Sequence, residues 1–143
     1  MATMNGISSK WSQRVVVLSL LLLFFTIPHT LEDFATGEPA AAGVPAPLLS
    51  LVVSIVFFLQ ALGLFWLGQG RRRGLYVHVG IGLFWPIASG FAQLPTILNE
   101  TPYRAGAISV FYVGGMIVVG ILLFLSSIFA LRHRNDEMTI GDQ

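Results

Sequence analysis

The chain has 143 residues, 55% of them hydrophobic and only 10% charged, with a mean hydropathy of +0.77 and a formal net charge of +1. Average soluble domains carry roughly 25% charged residues, so a chain this short and this poor in charge cannot cover a water-facing surface; the bilayer is its expected solvent, and the near-neutral balance gives no case for a nucleic-acid partner. The absence of cysteine excludes disulfides, thiolate metal sites, iron–sulfur clusters and thiol redox chemistry.

Residues 1–14 are polar and end on Lys10, Trp11 and Arg14. Residues 15–34 are the first expected span: 15–27 are almost wholly apolar, and Leu31 and Phe34 extend the run past Pro28. A secretory signal peptide is the rival reading. The small residues Ala40, Ala41 and Ala42, where cleavage would fall, lie too far beyond the apolar run, so a retained helix is expected. Residues 35–47 form the longest connection, where Pro39, Pro45 and Pro47 disfavour a continuous helix.

Residues 48–68 are the second span, and QGRRRG at 69–74 is a tight turn. Residues 75–98 are the third span, with Pro86 near its middle and Pro95 near its end. NETPYRAG at 99–106 is a short turn holding a formal glycosylation sequon at Asn99, residues 107–131 are the fourth span, and 132–143 a polar tail. A helix needs about 20 apolar residues to cross about 30 Å of hydrocarbon. The runs lack the alternation of barrel strands, and backbone groups in lipid must be satisfied within the segment. The chain is therefore expected to be one all-α integral membrane domain with four transmembrane helices in an antiparallel bundle.

Charge sets the expected orientation. Lys10 and Arg14, the triplet Arg71, Arg72 and Arg73, and Arg132 and Arg134 all fall on one side of four crossings, which is seven of the eight Lys and Arg residues. The positive-inside rule then places both termini and QGRRRG in the cytoplasm, with the plasma membrane the expected location. Arg104 alone lies opposite, beside Glu32, Asp33, Glu38 and Glu100. Trp11, Trp66 and Tyr76 fit an inner aromatic belt and Tyr103 an outer one.

Few residues carry chemistry. His78, Gly82, Pro86, Ser89 or Gly90, and Gln93 recur along one face of the third span, and Ser109, Tyr112, Met116, Gly120 and Ser127 along the fourth. Such stripes are first of all packing faces. The functional alternative is a ligand groove or pore lined by Gln60, His78, Trp85 and Gln93, widened by a kink at Pro86. His29, Glu32 and Asp33 sit at i, i+3 and i+4 near the outer end of the first span. Their first expectation is a hydrated helix end; the alternative is a divalent metal site at the external face, completed by Glu38 or Glu100.

Beyond those outer-end residues, no Asp, Glu, Lys or Arg is read inside a span, which argues against proton- or ion-coupled carriers, the small multidrug exporters included. No two histidines match in depth, which argues against a b-type haem. The leading functional expectation is a non-enzymatic accessory or scaffold subunit of a larger membrane complex, as a homo-oligomer or with other membrane subunits, and no cofactor is predicted. An oligomeric small-molecule transporter or channel component is the first alternative. A metal-handling protein or enzyme using the external loop is the second.

Overall fold

A computed structural model describes residues 10–37, 40, 43–99 and 103–140 of the chain, with side chains through residue 133. Among these residues there are four helices and no strand: α1 (Lys10–Thr36), α2 (Ala46–Gly68), α3 (Arg73–Asn99) and α4 (Ala107–Ile140). Each is long and apolar enough to cross a membrane. At 1.5 Å per residue a 27-residue helix such as α1 is about 40 Å long, against about 30 Å of hydrocarbon. The four helices mark the chain as an integral membrane protein.

The first helix runs through Pro28, as the span expected to residue 34 does, and ends at Thr36, so His29, Glu32 and Asp33 belong to its last turns. Pro28 removes one rung, the bond to the Phe24 carbonyl, and membrane helices tolerate that loss when neighbours pack against it. The fourth helix continues to Ile140, so most of the expected polar tail is helical.

The α2–α3 hairpin closes by a Schellman cap. The Arg71 N–H donates to the Trp66 carbonyl at 2.8 Å and the Gly70 N–H to the Leu67 carbonyl at 2.9 Å. That geometry needs a left-handed residue, and Gly70 supplies it at φ 70° without a Cβ penalty. Pro45 and Pro47 open α2, where their missing N–H groups cost nothing.

Helix α4 is the central element, packed extensively on both α1 and α3; α2 lies mainly on α3 and touches α1 little. The small-residue stripes explain the close approaches. A Cβ at Gly82 would lie 2.5 Å from the Phe124 backbone nitrogen, and one at Gly120 would lie 2.5 Å from the Pro86 ring, so α3 and α4 interlock there. A Cβ at Gly74 would lie 2.6 Å from the Gly63 carbonyl oxygen, which fixes the α2–α3 crossing. The Phe25 ring of α1 fills the place a Cβ would take at Gly115. These glycine faces are consumed inside the chain, as in other membrane bundles without a hydrophobic force between helices.

The ends of the helices come together in pairs. Trp11 stacks on Phe129 at 5.2 Å, so the start of α1 meets the last turns of the α4 span. At the other end the last turns of α1 meet the start of α4 through Glu32 and Ser109.

Candidate functional site

Two polar groups lie within the bundle. The first ties three helices together near the middle of α1. His78 on α3 places Nδ1 2.7 Å from the Gly74 carbonyl, which can only accept, so Nδ1 carries the proton. Nε2 therefore accepts from the Ser19 hydroxyl on α1 at 3.0 Å. Gln60 on α2 donates to the Ser19 hydroxyl oxygen at 3.0 Å and to the Ser19 carbonyl at 2.9 Å. Ser19, Gln60 and His78 are each fully buried. The hydroxyl donates once and accepts once, the imidazole does the same, and the triangle is closed except for Gln60 Oε1. It is a lock between helices, since a buried polar group left open in lipid costs several kcal/mol.

The second group closes the opposite end, where the α1–α2 and α3–α4 connections lie. The Arg104 guanidinium pairs with the Asp33 carboxylate and donates to Gln93 Oε1 at 2.9 Å. The Tyr103 hydroxyl donates to the same Gln93 oxygen at 2.5 Å. Ser109 donates to Glu32. His29, 3% exposed, stands between the two carboxylates, with Nδ1 3.7 Å from Glu32 Oε2 and Nε2 3.7 Å from Asp33 Oδ2. Those separations are too long for hydrogen bonds. Arg104 is held at φ 43°, a left-handed backbone that a non-glycine residue adopts at a cost of roughly 1–2 kcal/mol, and this turns its side chain into the bundle.

The expectation of a hydrated helix end is therefore overturned. The side chains of His29, Glu32 and Asp33 are 4%, 15% and 19% exposed, and Arg104 is 5% exposed. Tyr103, expected in an aromatic belt, is buried at 3%. The physical reason is mutual neutralisation: Asp33 and Arg104 together shed a desolvation cost that neither could bear alone. Among the described residues no group of three His, Cys, Asp or Glu is placed to hold a metal, because Asp33 turns to Arg104 and Glu32 to Ser109. Glu38 and Glu100, named as completing ligands, lie outside the described residues.

Below this charged end a cleft of about 260 Å³ lies between α1, α2 and α3, with Met116 of α4 at its floor. Its walls are mostly apolar, from Val52 and Val53 on α2 to Phe84 and Ala88 on α3. Val52 and Phe84, 40% and 38% exposed, stand at its rim on the lipid-facing perimeter. His29, Asp33 and Gln93 form its polar end. Two residues of the cleft wall, Trp85 and Ser89, each carry a polar atom, the indole Nε1 and the hydroxyl, that is buried without a hydrogen-bond partner.

The four residues grouped from the sequence as one groove are divided by the structure. Trp85 and Gln93 line the cleft, while Gln60 and His78 are enclosed in the Ser19 network. The arginine triplet lies at the hairpin between α2 and α3, with Arg71 exposed and Arg73 opening α3. Arg104 and Tyr103 escaped sequence reasoning because both sit in a short turn, where solvation is the default. The one signal was charge: Arg104 is the sole basic residue among the four acidic ones on its side of the chain.

No family model, no curated protein and no solved structure matches the chain.

Proposed function

We propose that the protein is an intramembrane binding protein for a small amphiphile that enters from the lipid phase. The observation that carries this is a mostly apolar cleft whose polar end, His29, Asp33 and Gln93, belongs to a buried, ion-paired cluster with Arg104. Ionisable side chains at membrane depth are costly to keep and mark functional sites by default. An apolar cavity with a few converging polar groups is the usual form of a small-molecule site. The polar end would receive the head of the ligand, and the rim at Val52 and Phe84 would let its tail run into the bilayer.

The accompanying topology is four antiparallel crossings in the plasma membrane, with both termini and QGRRRG cytoplasmic and the cleft opening near the external leaflet. It rests on the placement of seven of the eight basic residues. A second reading, an accessory or scaffold subunit, draws on α2, where Leu51, Ile55 and Phe58 are exposed along a helix with little cover from its neighbours.

The test is extraction of the protein with its surrounding lipid into polymer-bounded discs, followed by mass spectrometry. An amphiphile enriched over the bulk membrane, and lost in Ala88→Phe, which fills the cleft, supports binding. Enrichment of nothing, or of the same species in Ala88→Phe, overturns it.

A further inference from the structure

Three side chains set the chemistry of the ligand, if the cleft is a binding site as proposed above. Trp85, Ser89 and Gln93 follow one another at four-residue steps on one face of α3, about 6 Å apart along the helix. All three line the cleft. Gln93 is already engaged by Tyr103 and Arg104. Trp85 and Ser89 are not: their polar atoms are buried, unpartnered and within residues only 6% and 3% exposed. Indole can only donate, and a hydroxyl donates readily. Two orphan donors one helical turn apart, in walls otherwise of Val, Phe and Ala, ask for an acceptor oxygen between them.

The charge of the polar end narrows the class further. Glu32 and Asp33 supply two carboxylates against the single guanidinium of Arg104, so whichever state His29 adopts there is no surplus positive charge for an anionic head. The cleft volume of about 260 Å³ holds on the order of ten non-hydrogen atoms, at the roughly 30 Å³ that a water occupies in the liquid.

We infer that the cleft takes an uncharged amphiphile bearing a carbonyl oxygen, with that oxygen received by the Trp85 indole N–H and the Ser89 hydroxyl and the tail passing the rim at Val52 and Phe84. A quinoid carbonyl and an acyl-ester carbonyl both satisfy this chemistry.

The experiment uses the full chain in nanodiscs with ¹⁵N-labelled tryptophan. There are three tryptophans, and loss of a signal in Trp85→Phe identifies the cleft indole. Three probes of matched chain length are titrated: methyl octyl ketone, n-decane and decanoate. The ketone is expected to move the Trp85 indole proton downfield and saturably, leaving Trp11 and Trp66 unmoved. Ser89→Ala should raise the midpoint about 3- to 10-fold, the loss of one neutral hydrogen bond. A soluble quinone and a short-chain acyl glycerol, run in the same way, separate the two sources of carbonyl, and saturable movement by either agrees with the inference. If ketone and alkane perturb Trp85 alike, or decanoate binds more tightly than the ketone, the carbonyl inference falls while the cleft remains a binding site. If no probe moves Trp85, in wild type or in Ala88→Phe, both fall together.

Discussion

Asp33 and Arg104 show how one pair of residues changes the character of a helix end. Alone, each would sit in the headgroup layer and hydrate. Together they bury, with Arg104 5% and Asp33 19% exposed, and they carry Gln93 and Tyr103 into the bundle with them. Breaking a buried pair costs about 3–5 kcal/mol because it strands a charge, whereas removing both partners is far milder. Asp33 keeps some contact with solvent, so the lower end of that range applies. Arg104→Met should therefore lower the unfolding midpoint in mild detergent markedly, and Asp33→Asn combined with Arg104→Met should recover much of the loss. A double variant as unstable as the single one would mean that the guanidinium holds the fold through Gln93 and not through the carboxylate. The same logic explains the Ser19, Gln60 and His78 network: Ser19 is the shared partner, bonded to both Gln60 and His78, and the Gly74 carbonyl takes the other imidazole nitrogen.

Between helices, the deciding residues are the smallest ones. Gly80 and Gly82 lie on one helix, two positions apart, and look alike in sequence. A Cβ at Gly82 would press on the Phe124 backbone and the Gly120 carbonyl, at 2.5 and 2.9 Å, whereas nothing lies within 4 Å of one at Gly80. Backbone atoms cannot yield as a flexible side chain does, so Gly82→Ala must push α3 and α4 apart and lose packing along the largest helix contact of the bundle. Gly80→Ala should be neutral or slightly stabilising, since alanine is the better helix former by about 1 kcal/mol. Thermal denaturation followed by circular dichroism compares the two directly. Equal midpoints for the two variants would rule out the α3–α4 crossing described above. The displaced α3 would also carry Trp85 and Ser89 with it, so the cleft depends on the same glycine.

For the molecule as a whole, the proposed orientation rests on the arginine triplet. Three adjacent arginines cost roughly 2.5–3.5 kcal/mol each at the centre of a spanning helix, so the QGRRRG hairpin is expected to stay on the side where the chain is made. With no native cysteine, single reporters are straightforward. Arg72→Cys should resist a membrane-impermeant thiol reagent in intact cells and react after permeabilisation. Ala40→Cys, at an exposed position in the α1–α2 connection, should react from outside. The reverse pattern would invert the topology and move the polar end of the cleft to the cytoplasmic leaflet.

The sequence by itself determined what composition and periodicity carry. Four helices long and apolar enough to span a membrane were legible because a bilayer demands about 20 apolar residues per crossing, and that demand is local in the chain. The packing role of Gly82, Pro86 and Gly120 was legible for the same reason, as a stripe at helical spacing. Only the tertiary structure decided which polar residues meet. His29, Glu32 and Asp33 had helical spacing, which suggested a hydrated helix end first and a common ligand as the alternative; the partners that engage Asp33 and Glu32, Arg104 and Ser109, lie more than seventy residues away in sequence, at separations of 71 and 77. Gln60 and His78 were grouped with Trp85 and Gln93 by residue type, but Ser19 on another helix removed them to a closed network. Burial of a polar group is a balance between desolvation and its partners, and those partners are assigned by helix packing that no single stretch of sequence contains.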